Sequence, residues 1–99
     1  MFARVSTYQG DPGQIDQGLA YDLENILPKV NQIDGFEGLY YLVDRESGKA
    51  LSMTLWASEQ TMRASEEEAN RLRTESAQSA SATVEDVQRY EVALSPEQS

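Results

Sequence analysis

The side chains of this chain that could do chemistry are aromatic, hydroxyl-bearing and, in one case, cationic. Arg4 and Tyr8 share one face of an alternating segment, and Tyr40 and Tyr41 stand side by side in an apolar run. Trp56 closes a further alternating segment, Met62 and Ser65 follow on a helical pattern, and Tyr90 lies near the end. Together they offer aromatic walls, a hydrogen-bond donor and a positive charge, which are the materials of a small-molecule pocket. The chain has no histidine and no cysteine. The commonest general base, the commonest zinc ligand and any thiol nucleophile are therefore missing. Ser65 has no base in sight, so it does not read as a nucleophile. Glu66, Glu67 and Glu68 point about 100° apart on a helix and cannot converge on one ion. They read as a solvated face, as do Asn70 and Arg73. Gly10-Asp11-Pro12-Gly13 lacks the lysine and spacing of a phosphate-binding loop. Each candidate also has an ordinary structural role. Trp56 and the tyrosines can anchor a core or an interface, Met62 can fill a core, and Arg4 can pair with Glu91 or Glu37 on a neighbouring strand.

These residues need a scaffold, and size and composition bound it. Ninety-nine residues, 39% apolar and 25% charged, make one ordinary globular domain. The net charge of −9 argues against nucleic acid, whose phosphates need a basic face. No apolar run approaches the roughly 20 residues that span a bilayer. The opening Met-Phe-Ala-Arg-Val-Ser-Thr lacks the regions of a signal peptide. A cytoplasmic location, with no membrane partner, is expected.

The elements follow from periodicity. A strand is expected over about Phe2–Gln9, with Ala3, Val5 and Thr7 on one face and Phe2, Arg4, Ser6 and Tyr8 on the other. Asp11 is placed to cap a helix over about Pro12–Gln32, with Gln14 in a capping-box position. Its stripe is Ile15, Leu19, Leu23, Ile26, Leu27, Val30 and Ile33, and Pro28 should kink it or end it early. Strands over about Phe36–Asp44 and Lys49–Trp56 are joined by Arg45-Glu46-Ser47-Gly48. Ser58 caps a second helix, about Ser58–Ala77, and a last strand covers about Thr83–Leu94. The order strand, helix, strand, strand, helix, strand is the ferredoxin-like α+β pattern: a four-stranded antiparallel sheet with two helices on one face. One domain over residues 1–94 and a loose tail at 95–99 are expected.

Strict alternation gives the second strand apolar groups on both faces, Phe36, Tyr40 and Leu42 against Leu39, Tyr41 and Val43. The third carries Leu51, Met53 and Leu55 opposite Ala50, Ser52, Thr54 and Trp56. Two helices cover one face only. Leaving two or three large side chains in water forgoes roughly 1.5–3 kcal/mol each, so a second copy of the chain is expected to cover the other face. Alternation does not say which face meets the helices.

Over about Met1–Leu94 the chain resembles the dimeric α/β-barrel superfamily, in its antibiotic-biosynthesis-monooxygenase form. The resemblance rests on the order of elements, Asp34-Gly35-Phe36-x-Gly38, the Asp44–Gly48 hairpin and Trp56-x-Ser58-Glu59. It implies a homodimer paired sheet to sheet, with a pocket in each protomer between helices and sheet. Trp56 matches a tryptophan common at the end of the third strand. Haem-degrading relatives ligate iron through a helix-two histidine, where this chain has Ser65 and Glu66, and use a first-strand asparagine where it has Thr7 or Tyr8. The resemblance therefore points away from haem. It points to a protein without cofactor or metal, oxidising a small phenol or hydroquinone as its anion. The alternative is a non-catalytic ligand-binding or stress-responsive dimer. An enclosed cavity reaching Trp56, with Arg4 or a tyrosine hydroxyl unpaired and turned inward, would favour the enzyme; a filled core would favour the module.

Overall fold

The computed structural model describes residues 1–96. Its strands are β1 (Phe2–Gln9), β2 (Phe36–Val43), β3 (Lys49–Trp56) and β4 (Thr83–Glu91). They form one antiparallel sheet in the order β2-β3-β1-β4. All helical segments lie between β1 and β2 or between β3 and β4 in the chain. They pack on one face, so the fold is ferredoxin-like. No helix of the described residues is long and apolar enough to cross a membrane. The tail expected from Ser95 lies largely outside the described residues.

The first helical segment is not uniform. Asp11 caps it by accepting from the Gly13 N–H at 2.8 Å, and a 3-10 turn (Pro12–Gln14) leads into α1 (Ile15–Tyr21). A π turn follows over Asp22–Ile26, in which the Leu27 N–H bonds back five residues to the Asp22 carbonyl, and α2 (Leu27–Val30) completes the segment. Pro28 explains the irregularity. It has no N–H for the Glu24 carbonyl, and the wider turn ahead of it absorbs the missing bond. The wide turn also shifts the stripe. Leu23, expected inside, is exposed, while Asp22 is buried.

The second segment is broken too. Ser58 accepts from the Thr61 N–H at 3.1 Å, and Thr61 Oγ1 accepts in return from the Ser58 N–H at 3.3 Å, which starts α3 (Glu59–Ala64). The chain pauses at Ser65 and resumes as α4 (Glu66–Ser79). The small apolar core is Ile26, Val30 and Leu72, with Tyr21, Ile33 and Phe36 against it.

Strand β2 departs from simple alternation. Phe36 pairs with Trp56 and Gly38 with Leu55, so Glu37 is an extra, bulged residue. Phe36 thereby joins the helix-covered face with Leu39, Tyr41 and Val43, and its ring meets that of Trp56 edge to face at 5.7 Å. The register also settles which face is covered. Arg4, Ser6, Tyr8, Ser52, Thr54 and Trp56 lie beneath the helices. Val5, Leu51, Met53, Leu55, Tyr40, Leu42 and Tyr90 make the uncovered face, where Tyr40, Leu42 and Tyr90 are 59%, 51% and 55% exposed.

The β2–β3 hairpin is tied to the start of the first helical segment by a bond from the Gly10 N–H to the Gly48 carbonyl at 3.0 Å. Gly48 has φ +82°, and a Cβ there would collide with the Gly10 carbonyl oxygen. Gly48→Ala is therefore expected to cost about 3 kcal/mol. Urea unfolding with an unchanged midpoint would contradict this account of the turn.

Candidate functional site

The covered face of the sheet is unusually polar. Strand β1 puts Arg4, Ser6 and Tyr8 inward in alternation, and β3 puts Ser52 and Thr54 beside them. Such a face is tolerated under the helices because its polar groups are hydrogen-bonded, Arg4 Nη1 excepted. Two cavities lie between this face and the helices, each about 490 Å³ including its open mouth. The first, at the Trp56 end, is lined by Arg4, Ser6, Leu39, Thr54, Trp56 and Arg73 among others. The second, at the hairpin end, is walled mostly by glycine, alanine and aliphatic side chains, with Asp22 among them. Tyr8, Tyr41 and Ser76 line both and stand between them.

Arg4 is only 2% exposed. Its Nη2 donates to the Met62 carbonyl (2.7 Å), Ser65 Oγ (3.0 Å) and Glu66 Oε1 (2.6 Å). Nε also reaches Glu66 Oε1, at 3.2 Å. Its partner is thus Glu66 on α4, not the expected Glu91 or Glu37. Ser65 Oγ donates to the same Met62 carbonyl at 2.6 Å. A carbonyl so occupied explains the interruption between α3 and α4, since it is the one Glu66 N–H would seek in a continuous helix. The guanidinium lies 5.3 Å from the centre of the Trp56 ring. Nη1 is buried and has no hydrogen-bond partner.

Glu66 is not part of a solvated face either. It bridges Arg4 and Arg89, the latter donating through Nε at 2.9 Å and also through Nη2. Charge-assisted bonds from Arg89, and then from Arg4, hold its carboxyl down at about 2 against the opposition of burial. Arg73, also expected in solvent, lines the Trp56 cavity. It donates to Ser6 Oγ and Asn70 Oδ1, each at 3.1 Å, and makes no ion pair among the described residues. Burial lowers its pKa from the ordinary arginine value; an arginine still carries its charge at neutral pH.

At the partition, Ser76 Oγ donates to Asp22 Oδ1 at 2.7 Å, and Tyr41 Oη lies 3.3 Å from Ser76 Oγ. Asp22 is 8% exposed, and burial raises its pKa above the usual carboxylate value although Ser76 works the other way. Burial first, and the nearby Asp22 charge second, push the Tyr41 phenol far above the ordinary tyrosine range. Tyr8 Oη lies 3.3 Å from Ser52 Oγ, and burial raises its pKa as well.

Of the residues singled out from sequence, Arg4, Tyr8, Tyr41 and Trp56 meet at the cavities. Trp56 Nε1 donates to Thr54 Oγ1 at 2.9 Å. Met62 and Ser65 sit behind Arg4, holding it rather than lining a cavity wall. Tyr40 and Tyr90 are corrections. The pleat of β2 turns Tyr40 away from its neighbour Tyr41, and pairing with Ala3 puts Tyr90 on the same uncovered face. Sequence reasoning missed Asp22, Ser76 and Arg73. One signal was available: Asp22 stands between Leu19 and Ile26 at helical spacing, a charge inside an apolar stripe. Ser76 and Arg73 carried none, lying in a polar helix with a thin apolar side. Among the described residues no Asp and Glu side chains cluster as a metal site would need.

A carboxylate whose folded pKa is depressed contributes stability that is fully present above its ordinary pKa and lost as pH falls through the folded value. For Glu66 that window runs from 4.5 down to about 2. Glu66→Gln strands the buried Arg4 and should cost about 2 kcal/mol at pH 7, discounted because Glu66 is partly in water. The gap between variant and wild type in urea unfolding should close towards pH 2. A gap independent of pH would remove the ion pair from this account.

No family model matches the chain. It is 36% identical over 67 residues to the uncharacterized protein Rv2558 of Mycobacterium tuberculosis, covering 68% of this chain and 28% of that one. The chain spans about a third or less of the length of the curated relatives it matches. Similar solved structures include a protein assigned as an antibiotic biosynthesis monooxygenase from Deinococcus radiodurans, with TM-score 0.69, 16% identity, and 96% and 95% of the two chains covered. Another is a point mutant of SnoaB, a cofactor-independent oxygenase from Streptomyces nogalater, with TM-score 0.68, 14% identity, and 96% and 95% covered. A third is the heme-degrader MhuD from Mycobacterium tuberculosis with two hemes in its active site, with TM-score 0.67, 19% identity, and 96% and 98% covered. The chain has the fold of the antibiotic biosynthesis monooxygenases. Haem does not fit its residues. The chain has no histidine or cysteine, Ser65 is bonded to Arg4 and the Met62 carbonyl, and Glu66 is claimed by two arginines.

Proposed function

We propose that this chain binds a small phenol or hydroquinone in the Trp56 cavity, stabilises its anion, and lets it react with oxygen without a cofactor. The observation that carries this reading is a pair of arginines lining a half-open cavity: Arg4, whose Nη1 is buried and without a hydrogen-bond partner, and Arg73, without a carboxylate. In a chain of net charge −9 this is a local reversal of sign. Two arginines in a low-dielectric cavity favour the ionised form of a ligand. The Trp56 ring supplies a flat apolar wall, and Tyr8 and Tyr41 supply hydroxyls. Catalysis of this kind asks the protein to hold an electron-rich anion against cationic and apolar walls, which Arg4, Arg73 and Trp56 provide. The cavity reaches Trp56 but is half open rather than enclosed, and the unpartnered Arg4 Nη1 is what supports the enzyme over the non-catalytic module. An oxygen electrode with a panel of hydroquinones and naphthols tests it. Uptake is expected, with Arg73→Ala at least about tenfold slower. Tight binding without uptake would leave a ligand-binding module in its place.

The same reading includes a homodimer. The uncovered sheet face presents Tyr40, Leu42 and Tyr90 to water around Leu51, Met53 and Leu55. A patch of this kind marks an interaction site, and a second copy supplies a face of matching shape and polarity. Light scattering should report about twice the 11.1 kDa chain mass, and Leu42→Asp should lower it to a single chain. A monomeric wild type would refute the pairing.

A further inference from the structure

The geometry points to Asp22 as the terminal proton acceptor for a ligand in the Trp56 cavity, reached through Tyr41 and Ser76. This inference rests on the reading that a phenol occupies that cavity. Its basis is the hydrogen bookkeeping of three side chains from three elements. Ser76 has one hydroxyl hydrogen, and the 2.7 Å contact gives it to Asp22 Oδ1. The 3.3 Å contact between Tyr41 and Ser76 is then one in which Tyr41 donates and Ser76 accepts. Both hydroxyl hydrogens thus point one way, from β2 through α4 to the π turn. Tyr41 also lines the Trp56 cavity, where Asp22 does not reach.

A phenol in that cavity whose hydroxyl meets Tyr41 Oη completes the chain. Its proton passes to Tyr41 as Tyr41 passes its own to Ser76 and Ser76 passes its own to Asp22. One O–H bond forms and one breaks at each hydroxyl. The ligand ends as phenolate, Asp22 ends protonated, and both hydroxyls end neutral with their hydrogens reversed. Tyr41 is never ionised, which its burial forbids. The phenolate keeps Arg4 and Arg73 as its countercharges, while the negative charge leaves Asp22, where burial already disfavours it. The titratable groups that face Asp22 are Tyr41 from β2, Tyr8 from β1, Glu75 from α4 and Tyr21 from its own segment. None of them is a cation that would hold the carboxylate ionised. Asp22 acts through others and is a positioning residue, not one that touches the ligand.

The test uses 4-nitrophenol, whose phenolate is yellow and whose phenol is not. The wild type should bind it with a phenolate fraction well above that of the free dye at the same pH. Asp22→Asn keeps an acceptor oxygen for Ser76 but takes no proton, and it should lower the bound phenolate-to-phenol ratio about tenfold. Ser76→Ala cuts the chain at a second point and should do the same, so a misfolded Asp22→Asn does not remove the test. Asp22→Glu should recover part of the ratio. A merely electrostatic Asp22 predicts the opposite sign, since removing a nearby negative charge favours the phenolate. Variants that bind the dye with an unchanged or raised ratio would overturn the relay and leave the pocket standing. A wild type that does not bind the dye would overturn both.

Discussion

Arg4 enters the covered face of the sheet as a full charge that folding leaves almost no water, and everything around it is arranged to make that tolerable. Burying an unpaired charge costs several kcal/mol. Glu66, the Met62 carbonyl and Ser65 share the guanidinium between them, and the Trp56 ring lies against it. The demand propagates. The Met62 carbonyl is so fully used that the helix breaks at Ser65, which sets the start of α4 and brings Glu66 down to the sheet. From there α4 carries Arg73 and Ser76 over the middle strands. A single buried cation thus fixes the second helix, and that helix roofs both cavities.

The sheet also has its polarity distributed in an unusual sense. The covered side mixes serines, a threonine, tyrosines and an arginine with Phe36, Leu39, Val43 and Trp56, while the side facing away from the helices holds leucines, a methionine, a valine and two tyrosines. In a lone chain Tyr40, Leu42 and Tyr90 stay in water. The distribution becomes coherent if the apolar side is itself a core shared between copies and the polar side lines a chamber. Stability and ligand chemistry are then assigned to opposite faces of one sheet, so that substitutions at one need not disturb the other.

Much of this was legible in the residues. Alternation in β1 and β3 sorts the side chains into two sets without saying which set is covered, and the hairpin is marked by Gly48 with its polar neighbours. What could not be read depends on events across the fold. Phe36 changes face because a bulge at Glu37 lets its ring meet Trp56, and strand periodicity carries no sign of that contact. Glu66 looks like one member of an acidic run until α4 is laid over β1. Asp22 was the most readable omission: it occupies an apolar position in the first stripe, but the neighbouring Leu23 fits a helix of 3.6 residues per turn better than the wide turn that forms. Tyr40 and Tyr41, adjacent in sequence, are separated by the whole thickness of the sheet.

Pro28 sets this wide turn through a bond it lacks. A π turn is in effect an α-helix carrying one surplus residue. The registry of everything upstream of it, from Ile15 to Asp22, is therefore advanced by about 100° relative to α2. With this winding Asp22 is buried at the wall of the hairpin-end cavity and Leu23 is turned to solvent.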